Sequence, residues 1–391
     1  MMLFYFIGFV IFGFPILGYL TYILGLSDIS DFDFLSLRTN TFEPLILLLM
    51  GSVSYALAYF MSNHLSSDKK LNITKNNELH MDEIRFVLGK YSHYIALFCA
   101  VFFFIFQGWM FFPERYGYRV EISFLPSLYA LAGMFGLLSI FTLGFTYGSN
   151  KNAWKYIALF IFFIVFLAFF SKASRIFALA PTLFLLSSCW AGKKFSTSLS
   201  VSLILLPFLL TLSLQLRGLN LQGFLPFIEY FFTDVDFSYD KVLRGIISNF
   251  SSTYFIFAET LNQAGWMQLN DVLISLNPLP GSLVGWRDVF WKYRINVNVP
   301  YSTLGEVFAY SVSLGLGFCV FLGLLVGKIN KNITSKTYLG IVQAILIFYV
   351  AILIPQYNLR SAARFLYLIL FLELGFHSLN FFKLCAQGKV R

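Results

Sequence analysis

Apolar runs of about twenty residues, the length needed to cross a hydrocarbon core of about 30 Å, recur along almost the whole chain. They predict transmembrane helices near 2–24, 43–62, 92–113, 124–147, 153–170, 176–191, 196–214, 303–326, 337–355 and 361–382. One long interval, 215–302, has no such run. Within it, Leu221–Phe232 and Asp240–Leu261 carry apolar and aromatic residues at helical spacing, Val242, Ile246, Phe250, Tyr254 and Phe257 among them. That spacing predicts helices lying along the membrane surface. Asn277, Pro278, Pro280 and Gly281 predict a turn-rich break after them, and Trp266, Trp286 and Trp291 suit an interfacial position. The expected fold is all-α and polytopic with about ten spans. Residues 1–214 hold helices one to seven, 215–302 one large helical loop subdomain, and 303–391 the last three helices and a tail.

Composition agrees with this reading: 58% of the 391 residues are hydrophobic and 12% charged, against roughly 25% charged in soluble proteins. Met1 to Leu24 carries neither a basic leader nor a small-residue cleavage site, so it reads as a retained first helix. The formal charge of +9 is scattered among connections rather than gathered on one face. This pattern points to membrane lipids as partners and excludes nucleic acid. Cys99, Cys189, Cys319 and Cys385 lie in or beside apolar runs without metal-ligand spacing, so neither a disulfide framework nor a zinc site is expected. No repeat and no matched pair of broken helices is visible, which counts against a transporter.

Lys and Arg set the orientation. With a cytoplasmic N-terminus, the inward segments hold fifteen basic residues and the short outward loops seven, so both termini are expected in the cytoplasm. Residue type divides more sharply than charge. Thirteen of sixteen lysines fall inside and ten of twelve arginines outside. Topology alone gives no reason to collect arginine outside, whereas its planar fork binds phosphate and carboxylate oxygens at two points. The outer face is thus suited to an anionic ligand, although each of these arginines also has acidic residues on its own side to pair with, such as Asp28, Asp31, Asp33, Glu114 and Glu121.

The same topology puts His64, His80, His93 and His377 all on the cytoplasmic side. An outer-face reaction that deprotonates a hydroxyl must then use a carboxylate or a base from the substrate. Glu306, at the outer end of the eighth span, is the first candidate. The alternative is a capping box, Thr303-x-x-Glu306, that closes its own helix. Asp234-Val235-Asp236 has the spacing of a divalent-cation site, a short pattern that also arises by chance. Arg217, Arg244, Arg287 and Arg294 lie in the long loop, and Arg360-x-x-x-Arg364 puts two guanidinium groups on one helix face. Helix capping and snorkelling to headgroups are their other readings. Gly144-x-x-x-Gly148 and Gly323-x-x-x-Gly327 predict close helix packing. The sequons at Asn72, Asn249 and Asn332 read as chance, since two of them face the cytoplasm.

Asn277-Pro278-Leu279-Pro280-Gly281, then Val299-Pro300-Tyr301-Ser302-Thr303-Leu304-Gly305-Glu306, and the glycine-rich helix after it resemble the bacterial oligosaccharide repeat-unit polymerases of the Wzy class. The plan of many spans with a large late loop adds to the resemblance. It implies a GT-C-type helical fold in the bacterial inner membrane and a metal-independent, inverting glycosyltransferase that needs no cofactor. The implied substrates are oligosaccharide repeat units on undecaprenyl diphosphate, with the growing glycan moved onto an incoming unit at the periplasmic face. On that resemblance Glu306 is expected to act as base or acceptor orienter. Arg217, Arg287, Arg294 and Arg364 are expected to clamp the diphosphate, with Arg360 and Arg244 as further candidates. A chain-length regulator is an expected partner. Two rivals share the lipid-linked substrate. A flippase would keep its connections short, and an O-antigen ligase would call for an outer-face histidine.

Overall fold

The computed structural model describes residues 2–26, 42–64, 91–107, 115–116, 126–149, 153–170, 176–192, 201, 205, 209, 221–222, 239–262, 267–279, 281, 283–293, 295, 301–334 and 338–386. The chain divides into two compact units, one of Met1–Thr74 with Phe250–Arg391 and the other of Lys75–Asn249. Among the described residues, the helices long and apolar enough to cross a membrane are Leu3–Ile23, Phe42–Ser62, Ala132–Ser149 and Val312–Asn332, with shorter apolar helices at Tyr91–Phe106, Trp154–Phe170 and Val342–Gln356. The expected span at 196–214 lies outside the described residues, apart from isolated positions.

The first unit begins with α1 (Met2–Gly8), a π-helical turn (Phe9–Gly13) and α2 (Phe14–Ile23) in one continuous rod. Pro15 lacks an amide hydrogen, and the helix passes it by widening into the π turn, where Phe14 N–H bonds to Phe9 O. Helix α3 (Phe42–His64) runs antiparallel to this rod, with Phe4 stacked on Tyr55 and Tyr59 at ring separations of 5.1 and 4.3 Å.

In the second unit, α4 (Tyr91–Phe106), α5 (Pro126–Ser149), α6 (Trp154–Phe170) and α7 (Ile176–Gly192) pack together. Gly144 and Gly148 of α5 face the backbone of Phe184 and Ser188 on α7, the close approach expected of the first glycine pair. Leu221–Gln222 is a short strand (β2) paired antiparallel with Arg115–Tyr116 (β1). The helix predicted over Leu221–Phe232 therefore does not start there, because these two residues take their backbone partners from another segment.

The helix expected over Asp240–Leu261 is α8 (Tyr239–Asn262). From Ser251 to Ala258 every residue is buried, so this half is a core helix rather than one lying half-exposed on a surface. Its small residues allow that. The Ser251 hydroxyl meets Thr21 at 2.7 Å, and Gly18 of α2 abuts the Phe250 carbonyl.

Short helices α9 (Leu269–Leu276) and α10 (Trp286–Tyr293) follow, then α11 (Thr303–Tyr310), α12 (Val312–Thr334), α13 (Tyr338–Gln356) and α14 (Leu359–Ala386). The eighth span, expected over 303–326, is thus two helices. Ser311 is extended (φ −161°, ψ 147°) and its hydroxyl accepts the Leu314 amide at 3.1 Å, so one residue ends α11 and caps α12. Gly323 and Gly327 of α12 press against Tyr55 and Ser62 of α3, with α3 and α12 parallel.

Antiparallel α12, α13 and α14 bring Val312, Gln356 and Leu359 to one end of the unit. Lys328 and Lys331 lie toward the other, where Lys328 pairs with Glu373 at 3.2 Å and Lys331 donates to the Ser62 carbonyl. Nineteen residues at about 1.5 Å each separate Val312 from Lys331, which matches a bilayer core of about 30 Å.

Candidate functional site

At the Val312 end, three segments far apart in sequence meet. Ser302 caps α11, its hydroxyl accepting the Gly305 amide at 3.2 Å. The same residue donates its backbone N–H to Thr260 of α8 at 3.0 Å. Thr303 joins the turn between α13 and α14 through bonds from both N–H and hydroxyl to Tyr357 O, at 2.7 and 2.6 Å. Asn358 caps α14, with its side-chain oxygen accepting the Ser361 amide at 3.0 Å.

Glu306 does not close its own helix. The capping-box alternative fails because Ser302 rather than Thr303 is the cap, which leaves Glu306 one position too far along to reach back. Its Oε2 instead accepts the Leu359 amide at 2.8 Å, the first free N–H of α14. The side chain is 1% exposed. Burial pushes its carboxyl up to about 7, against the opposing pull of Ser275 and the Leu359 amide, and with a further push from the negative charge of Asp271. Glu306 precedes the apolar helix long enough to span a membrane that begins at Val312.

Arg360, the next residue on α14, is 2% exposed. Its Nη1 donates to Ile274 O at 2.8 Å and Asn277 O at 3.0 Å, its Nη2 to Leu279 O, and its guanidinium lies 5.4 Å from the Trp286 ring centre. The turn it grips is already shaped by an Asx bond from the Leu279 amide to the Asn277 side chain at 3.0 Å. Tyr367 adds a bond to Leu276 O. Arg360 therefore holds the Asn277–Leu279 turn against α14, and its two terminal nitrogens are engaged by carbonyl oxygens.

Asp271 and Ser275, one helical turn apart on α9, both face inward at 8% and 0% exposure. Asp271 Oδ2 accepts from Lys292 Nζ at 2.9 Å and from the Tyr293 hydroxyl. Burial would raise its pKa, but those two partners and the Gln268 amide outweigh it and hold the carboxyl below the usual range. The Tyr293 ring stands edge-on to Tyr301 at 6.2 Å. Ser275 Oγ and Tyr301 OH are buried beside the Glu306 carboxyl, and Arg360 Nε is buried without a hydrogen-bond partner among the described residues. Burial and the neighbouring Glu306 push the Tyr301 phenol upward.

Arg287 on α10 and Arg364 on α14 are exposed in this same unit. Arg244 is exposed on the part of α8 that belongs to the other unit. Arg217, Arg294, Asp234 and Asp236 lie outside the described residues, and no group of metal-ligating side chains occurs among those described. The sequence reading singled out Glu306 and Arg360 but missed Asp271, Ser275 and Tyr293. The one signal for Asp271 and Ser275 was their i, i+4 spacing on an eight-residue helix that is apolar but for them and Asn270, and Tyr293 had none. Comparison with family models, curated proteins and solved structures gives no match to this chain.

Proposed function

We propose that the chain is a polysaccharide polymerase of the bacterial inner membrane, with about ten spans in a GT-C-like arrangement and both termini cytoplasmic. It transfers a growing glycan from undecaprenyl diphosphate onto an incoming lipid-linked repeat unit at the periplasmic face, with inversion and without a metal. The observation that carries this reading is convergence. The Asn277–Gly281 turn and the Tyr301–Glu306 segment, which bear the resemblance to that class, are tied to one helix start by Arg360 and Glu306. Glu306 contributes a carboxylate for the acceptor, as base or orienter. Glu306 is 1% exposed, so a sugar hydroxyl reaches it only if its surroundings rearrange.

The outer-end cations meet the diphosphate. Arg287 and Arg364 are exposed for this, while Arg360 positions the turn. The exposed Trp291 ring of α10 offers a face for sugar stacking. Electrostatic stabilisation of the leaving diphosphate and deprotonation of the acceptor are what an in-line displacement at the anomeric carbon requires.

Purified protein given synthetic lipid-diphosphate repeat units in EDTA should yield a ladder of products. Intact substrate with no ladder, in protein that stays folded, would overturn the reading. Transfer of the units across a vesicle bilayer without elongation would favour a flippase.

A further inference from the structure

We propose that Asp271 is the proton acceptor of this site and that Glu306 is a positioning residue that acts through α14. The inference rests on the polymerase reading and goes beyond it, because it moves the catalytic carboxylate from the residue the motif suggests to one on α9.

Accessibility separates the two groups. Glu306 is 1% exposed and its Oε2 is committed to the Leu359 amide. On the same measure Asp271 is 8% exposed, and the side chain of its partner Lys292, 44% exposed, marks the way to solvent. A hydroxyl entering along Lys292 meets Asp271 first.

Charge separates them the same way. A carboxylate lifted to about 7 is only half ionised near neutrality, whereas one held below its usual range by an ammonium and a phenol is fully ionised. Two carboxyl groups whose surroundings push them apart take different roles, and Asp271 is the one held as an acceptor-only carboxylate. The neighbours of the pair are Lys292 and Tyr293 on α10, Tyr301 before α11, and Arg360, whose guanidinium is turned onto the carbonyls of Ile274, Asn277 and Leu279. The hydroxyls of Ser275 and Tyr301 belong to the same buried cluster.

The step balances without a co-reactant. The acceptor oxygen forms its bond to the anomeric carbon and gives its proton to the Asp271 carboxylate. The bond from that carbon to the diphosphate oxygen breaks, and its electron pair leaves on the diphosphate beside Arg287 and Arg364. The proton then passes from Asp271 to solvent past Lys292.

The bland role for Asp271 is to hold the N-terminus of α9 through the Gln268 amide. That role predicts lower stability and an unchanged chemical step. Single-turnover elongation on synthetic lipid-diphosphate repeat units separates the two. Asp271→Asn should lower kcat by about 100-fold or more at every pH with KM little changed, and Asp271→Glu should restore part of it. Glu306→Gln should keep measurable turnover while losing its inflection near pH 7. Wild-type kcat in Asp271→Asn, or a change confined to the melting temperature, would overturn the assignment.

A substrate-free measurement keeps the inference testable if no ladder forms. Infrared titration of the Glu306 carboxyl should show its midpoint falling in Asp271→Asn, because a neighbouring negative charge has gone. An unmoved midpoint would sink the carboxylate pairing itself, whereas a missing wild-type ladder sinks only the polymerase reading.

Discussion

The Glu306 carboxylate and the Leu359 amide meet at 2.8 Å across 53 residues of sequence, joining the start of α11 to the start of α14. The bond satisfies a helix-end donor, yet it is made by a side chain whose charge is opposed by burial.

That opposition has a measurable sign. The folded-state value of about 7 stands above the ordinary 4.5, so the stability linked to a neutral Glu306 is fully present below about 4.5 and lost as pH rises through 7. Glu306→Gln, which cannot ionise, should gain on wild type by on the order of 3 kcal/mol across that window. Asp271 works in the opposite direction in acid, but both proteins share it. Parallel melting curves for the two proteins across the window would show that Glu306 titrates normally.

Arg360 fills three carbonyl acceptors in a geometry that a lysine ammonium cannot match. Arg360→Ala should destabilise the protein by about 3 kcal/mol or more, and Arg360→Lys should recover only part of this. Thermal melts in detergent give the magnitude. Limited proteolysis within Asn277–Gly285 should show the turn released in the alanine variant and held in wild type.

Gly323 has no room for a side chain, since a Cβ there would run into the Tyr55 backbone, whereas Gly317 on the same helix has nothing within 4 Å. Gly323→Val should force α12 off α3 and abolish folded yield. Gly317→Ala should be neutral or slightly stabilising, by under about 1 kcal/mol. Equal tolerance at the two positions, scored by size-exclusion profiles, would argue against this helix pair.

Glu373 gathers Gln343 at 2.8 Å, Asn332 at 3.0 Å and Lys328 at 3.2 Å, uniting α12, α13 and α14 at the end opposite the site. Glu373→Ala strands these donors and should lower stability by about 2 kcal/mol. The additional loss from Gln343→Ala in that background should be well below its loss in wild type, because the two belong to one network. Independent losses in the double mutant would show that no such network holds the bundle.

Hydropathy and glycine spacing were legible along the chain. The apolar runs near 2–24, 43–62, 124–147 and 153–170 reappear as helices within a few residues. Both glycine pairs sit at close helix contacts, because removing a side chain for backbone approach leaves its mark wherever the partner lies. The break at Ser311 was not legible, since a serine within an apolar run does not show whether its hydroxyl bonds back along one helix or caps the next.

The site needed the fold. Tyr301–Glu306 and Asn277–Gly281 stood out locally, but Thr303-x-x-Glu306 has the spacing of a capping box, and only the packing of α11 on α14 turned the carboxylate to Leu359 instead. In the same way, Arg360 looked like a surface cation for an anionic ligand, and tertiary structure buried it against three carbonyls. Asp271 carried almost no local signal, because its charge is held by Lys292 and Tyr293, some 21 and 22 residues away. Hydrophobic length and residue spacing are properties of a segment and survive without its neighbours. The ionisation and partners of a buried polar group are properties of its surroundings, so they came into being only when distant segments closed around it.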